Sequence, residues 1–210
     1  FNVYANVEGA DIGSVSDDIA LRIEAFRKTL PKGYEVNFEG EVAVMKRSFA
    51  NLGLGLILAI LFAFLIITPL FQSFRQPLII ILAFPLGLIG IVALMMITGT
   101  NLSIQSIMGI IMMVGISVSY GNILIDRINN LIKEGMQKTD AIINGASDRF
   151  RPVLMTAATT VFALLPTAIG IGDTGSANVP LAIAVIGGTI TATLLTLYII
   201  PIFYLMIAKN

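Results

Sequence analysis

The sequence predicts an all-α membrane bundle of five transmembrane helices, preceded by a small α+β piece. Three observations carry that prediction. Hydrophobic residues make up 56% of the chain and charged residues only 12%, about half of the ~25% usual in a soluble domain. The charges are also segregated, because residues 1–47 hold six of the thirteen basic and eight of the thirteen acidic side chains. Between the remaining charges lie five uncharged apolar runs, each near or above the ~20 residues that cross ~30 Å of hydrocarbon as a helix.

The elements follow in order. In residues 1–47, Phe1, Val3, Ala5 and Val7 alternate with Asn2, Tyr4, Asn6 and Glu8, the period of a strand with one buried face. Ile19, Ile23, Phe26 and Leu30 then recur at helical spacing behind Ser16, a plausible N-cap. Leu30-Pro31-Lys32-Gly33 breaks that helix, and Tyr34 to Phe38 alternates again, so the piece reads as βαβ. It is too small to bury its own core and is expected to dock onto other protein. An opening at Phe1 in mid-strand, without initiator Met or signal peptide, marks the chain as a fragment of a longer polypeptide.

Residues 48–210 form the membrane domain, with helices predicted at about 51–71, 77–98, 102–125, 152–171 and 180–208 and a polar connector at 126–151. Pro77, Pro152 and Pro180 stand where three of these runs open, a position at which the missing N–H costs nothing. Pro85, Pro166 and Pro201 lie within runs and predict kinks whose freed carbonyls need a neighbour. Arg75, Arg127, Lys133, Lys138, Arg149, Arg151 and Lys209 all fall in connectors on one side of the five runs, and the two connectors on the other side, 99–101 and 172–179, carry no basic residue. By the positive-inside rule that side is cytoplasmic. The C-terminus is then cytoplasmic and residues 1–47 face outward. Lys46 and Arg47 run against this but count little on a large translocated domain.

Composition also excludes functions. A formal net charge of zero provides no field for nucleic acid. With no cysteine and no histidine, thiolate metal sites and the commonest proton relay are absent. No nucleophile–base constellation is visible, so the chain reads as no enzyme and needs no cofactor. Inside the five runs there is no Asp, Glu, Lys or Arg either. A proton-driven transporter needs an ionisable group at membrane depth, so this segment cannot supply the acid itself.

Two stretches carry candidate chemistry. Gly115-Ile116-Ser117-Val118-Ser119-Tyr120-Gly121-Asn122 is a polar stripe in the third run, and helical spacing puts Ser119 and Asn122 on one face. Such residues either partner a charged group on a facing helix or act as interhelical glue, and spacing alone favours glue. The fourth run opens at Asp148-Arg149-Phe150-Arg151-Pro152 and continues through Thr156, Thr159 and Thr160. Composition reads these as snorkelling arginines and threonines bonded to their own i−4 carbonyls. Met95, Met96, Met108, Met112 and Met113 suit either a thioether path for a soft metal ion or ordinary packing.

The run from Gly145-Ala146-Ser147-Asp148-Arg149-Phe150-Arg151 to Pro152-Val153-Leu154-Met155-Thr156 resembles a motif of resistance-nodulation-division (RND) efflux permeases. So do Pro180-Leu181-Ala182-Ile183-Ala184-Val185-Ile186-Gly187-Gly188, Phe71-Gln72-Ser73-Phe74-Arg75-Gln76-Pro77-Leu78, Phe84-Pro85-Leu86 and the stretch Asn6 to Ser14. The motifs stand in order over essentially the whole chain. The resemblance implies an inner-membrane pump of two homologous halves, driven by the proton gradient and exporting drugs or metal ions. Its implied partners are membrane lipid, the N-terminal half of the same permease, two further copies in a homotrimer, a periplasmic adaptor and an outer-membrane channel. Residues 1–47 would end the periplasmic porter domain. One half of such pumps carries an adjacent Asp pair; here the matching positions are Ser119 and Tyr120, which implies the C-terminal half and a departure from a lysine-type ion pair. Ser119, Tyr120, Asn122, Arg151 and Thr156 are then the implied proton-relay partners. The stretch from Asp173 to Ala182 leans to the metal-exporting branch. The rivals are a protein-export accessory subunit, which the full-length domain order would separate, a half-length homo-oligomeric permease, against which the missing intramembrane acid speaks, and a structural scaffold, which does not explain the ordered landmarks.

Overall fold

A computed structural model describes residues 12–27, 30–31, 41–82, 84–171 and 175–207. Two compact units divide between Asn51 and Leu52. Among the described residues all regular structure is helical. Both predicted strands fall on residues outside the described ones. In the first unit α1 (Ile12–Arg27) holds Ile19, Ile23 and Phe26 of the predicted helix, and Leu30 lies beyond its end. The helix begins before Ser16, so that residue lies within it instead of capping it. Asp18 and Arg22 face each other one turn apart at 3.6 Å.

Helix α2 (Glu41–Phe71) begins ten residues before the apolar run that predicted it. The remaining helices are α3 (Arg75–Leu82), α4 (Phe84–Thr98), α5 (Ile104–Lys133), α6 (Lys138–Ala168) and α7 (Gly175–Ile207). With α3 and α4 taken as one span, five helical stretches are long and apolar enough to cross a membrane. α3 and α4 lie on either side of residue 83, which is outside the described residues, and Pro85 is the second residue of α4. Pro152 and Pro180 do not start helices, because α6 and α7 run through them. The polar segment before Pro152 is itself helical, and the carbonyl that the proline frees lies where the charged end of the helix begins. The connector 126–151 therefore shrinks to a turn at Glu134 to Gln137, in which Gly135 takes φ +93°.

Ser103 caps α5, accepting from the Ser106 N–H while the Ser103 N–H donates to Ser106 Oγ. α7 is the axis of the second unit, packed against α3, α4, α5 and α6. Small residues let it in. A methyl on Gly90 of α4 would strike the Gly187 carbonyl and Thr191, and one on Gly187 would lie 2.6 Å from the Gly90 carbonyl. The two backbones touch there. α5 runs parallel to α7, with Gly109 against Ala184 and Leu181, Met113 on Gly188, and Gly121 against Ile200. An apolar cluster of Ile79, Ile80, Leu124, Ile125, Ile128, Ile142 and Ile200 fills one end. A second, around Ile91, Met95, Met113, Val114 and Ala184, fills the other.

Candidate functional site

The polar residues of α5 divide between two opposite faces, a consequence of the 100° step between helical neighbours. Ser117 and Tyr120 point inward; Ser119 is uncovered by this chain and Asn122 is half-buried beside it. Tyr120 is 3% exposed. Its ring packs on Val153 and Ala157 of α6 and Leu197 of α7, with Ile116 alongside. Its hydroxyl lies beside those of Thr160 and Thr193, yet forms no hydrogen bond of good geometry. Thr193 spends its proton on the Thr189 carbonyl at 2.6 Å.

Arg151 and Thr156, on α6, are both uncovered. Thr156 donates to the Pro152 carbonyl at 3.0 Å, and Thr159 and Thr160 donate to the carbonyls of Met155 and Thr156. The structure thus leaves Ser119, Arg151 and Thr156 uncovered and Asn122 half-buried. It sets Tyr120 apart from them, inside the bundle. The spans bring no carboxylate or ammonium group to this place, so its chemistry is that of neutral hydroxyls and an amide, with Arg151 at one edge.

The five methionines do not converge. Met95 and Met113 are core residues, whereas Met96, Met108 and Met112 point away from the bundle. Among the described residues, no three His, Cys, Asp or Glu side chains come together as a metal site.

Sequence reasoning missed two kinds of feature, polar links between helices and buried hydroxyls. At the basic end of the bundle, Gln76 and Asn129 exchange reciprocal amide bonds of 3.1 and 3.0 Å, and the Tyr204 hydroxyl donates to Asn129 Oδ1 at 2.8 Å. This lock joins α3, α5 and α7, and no local pattern announces residues so distant in sequence. Arg127 clasps Asp148 Oδ2 through Nε and Nη2 at 2.9 and 2.7 Å, closing the α5–α6 hairpin. The second omission is a buried set of threonines on α7, Thr189, Thr193 and Thr196. Their four-then-three spacing was the available signal.

Comparison with known proteins gives this fold its relatives. The family model described as the AcrB/AcrD/AcrF family matches residues 1–208. The chain is 34% identical to the swarming motility protein SwrC of Bacillus subtilis over 99% of its length, and 36% identical to the nickel and cobalt resistance protein CnrA of Cupriavidus metallidurans over 95%. It spans only 20% and 18% of those two proteins. A crystal structure of a heavy metal efflux pump superposes with a TM-score of 0.81 at 31% identity, covering 98% of this chain and 20% of that one. Five apolar membrane-length helices, the ordered motifs and these matches agree: the chain belongs to the AcrB/AcrD/AcrF family of resistance-nodulation-division permeases.

Proposed function

We propose that this chain is the C-terminal membrane block of an RND efflux permease, a secondary transporter driven by the proton gradient. The observation that carries the reading is that Ser119, Arg151 and Thr156 stand uncovered on α5 and α6, with Asn122 half-buried beside Ser119. Polar groups left facing lipid are costly, so protein must cover them. The matching N-terminal half, carrying the proton-binding acid that these spans lack, is the natural cover. Protonation of that acid would change its pairing with the hydroxyls, the amide and the guanidinium here, and the helices of the two halves would shift against each other. Tyr120 then acts from inside the bundle by holding α5 against α6 and α7.

The positive-inside rule favours a cytoplasmic α5–α6 turn and C-terminus and a periplasmic side for residues 1–47, in a bacterial inner membrane. A homotrimer with a periplasmic adaptor and an outer-membrane channel completes the pump. Metal cations are the favoured substrate class, drugs the alternative; the metal-resistance names among its relatives support the first.

Resistance assays in an efflux-deficient bacterium test this reading. Ser119→Ala, Thr156→Val and Arg151→Ala are placed in the full permease and compared at equal membrane protein level. Each should lower resistance to nickel and cobalt salts several-fold. Unchanged resistance would remove that residue from the coupling. Loss confined to amphiphilic dyes would reverse the substrate assignment.

A further inference from the structure

Threonine hydroxyls in these helices normally find a partner close by, whether exposed, like Thr98 and Thr156, or buried, like Thr193. Thr68, Thr98, Thr156, Thr159, Thr160, Thr191 and Thr193 all donate to the carbonyl four residues earlier. Thr189 and Thr196 do not, although they are 0% and 1% exposed. Ser117, at 0% exposed, and Tyr120 likewise have no hydrogen-bond partner. Helix geometry does not force this, since the neighbouring threonines make the bond.

These groups share one place. Thr189, Thr193 and Thr196 form a stripe along α7, and Ser117 and Tyr120 form one along α5. The parallel contacts from Gly109–Ala184 through Met113–Gly188 to Gly121–Ile200 bring the two stripes level, and Tyr120 meets both Thr193 and Thr160. Apolar residues close both ends: Leu124, Ile125, Ile128 and Ile200 on one side, Met113, Ala184 and Ala192 on the other, each at 0% exposed. The stripe covers about 10 Å of helix axis.

The lining decides the ligand class. No charged side chain stands on this face, so a cation or anion here would lie unpaired in a low-dielectric interior. Neutral hydroxyls that both donate and accept are suited to a neutral molecule that does the same. We propose that α5, α6 and α7 enclose a water-binding site lined by Ser117, Tyr120, Thr160, Thr189, Thr193 and Thr196. It is separate from the outer patch of Ser119 and Asn122 and does not depend on how that patch is used.

Hydroxyl-radical footprinting of the full permease in lipid nanodiscs, read by peptide mass spectrometry, tests the site. Tyr120 and Met113 lie on one helix at 3% and 0% exposed, and methionine is the more easily oxidised side chain. Radicals formed from bound water should modify Tyr120 several-fold faster than Met113. Equal protection of the two overturns the proposal. A Thr189→Val/Thr196→Val pair should lower Tyr120 modification several-fold, and the corresponding Thr→Ser pair should leave it unchanged. Undiminished modification in a valine pair whose Met113 stays protected also overturns it. Should the valine pair unfold, Met113 becomes labelled and the wild-type comparison decides alone.

Discussion

Helices α2 and α7 are both long apolar spans, yet the chain treats them in opposite ways. In the most apolar window of α2 only 6% of residues are buried; in that of α7 the share is 67%. α2 is the more apolar of the two, so burial here does not follow hydropathy. Lipid solvates leucine as well as a protein core does, and bulky apolar side chains such as Leu54, Ile57, Phe62 and Ile66 can stay outside. Close approach requires small side chains, and α7 supplies Ala182, Ala184, Gly187, Gly188 and Ala192. Hydropathy reports which segments enter the membrane; side-chain size reports which of them meet.

The largest effect should come from spoiling that approach. Gly90→Leu drives a branched side chain into the Gly187 carbonyl and Thr191. It should cost about 4 kcal/mol or more, seen as loss of folded permease from membranes in a detergent thermal-shift assay. Gly53→Leu on α2, where an added Cβ meets nothing within 4 Å, should stay within about 0.5 kcal/mol of wild type. Equal losses at the two positions would end the size argument.

The same contrast recurs on a smaller scale across α5. Ser117→Leu overfills a buried position and should destabilise by about 1–3 kcal/mol. Ser119→Leu, on the uncovered face, should leave thermal stability of the five-helix block nearly unchanged and abolish transport. A reversed pattern would mean that the inner and outer faces have been exchanged.

How much of this was legible beforehand follows the same division. The five spans were readable because uncharged runs and charged connectors are local signals. The ends were not. α5 and α6 run on into the charged connector, since a helix outside hydrocarbon still satisfies its own backbone, and Pro152 within α6 was mistaken for a start. Of the site, the outer placement of Ser119 beside Asn122 was implied by helical spacing. The inward turn of Tyr120 was not, because which face of α5 meets α6 and α7 is set by how its glycines pair with small and apolar residues of other helices. The Gln76–Asn129–Tyr204 lock was out of reach for the same reason.

That lock supplies a third, intermediate effect. Tyr204→Phe removes one donor to Asn129 and leaves the Gln76–Asn129 amide pair intact. Hydrogen bonds between membrane helices average about 0.6 kcal/mol and reach ~1.7, so a loss of about 1 kcal/mol is expected in reversible unfolding. Asn129→Leu removes all three bonds and should cost more than Tyr204→Phe. If it did not, the phenol alone would be holding α7.

The smallest effect should lie where the hairpin meets water. Arg127 clasps Asp148 with two donors, but its side chain is 31% exposed and that of Asp148 47%. Glu134 stands farther off at 3.9 Å. Exposed ion pairs of this kind contribute about 0.2–1 kcal/mol, and salt screens them. Arg127→Gln should therefore lower stability by about 0.5 kcal/mol in dilute buffer and by less at high salt. Tyr204→Phe should lose the same amount in both buffers, because its bond joins uncharged groups inside the packed helices. A salt-independent loss at Arg127 as large as that at Tyr204 would show that the hairpin end is as well shielded as the bundle interior, and would erase the distinction between uncovered and packed regions at that end of the molecule.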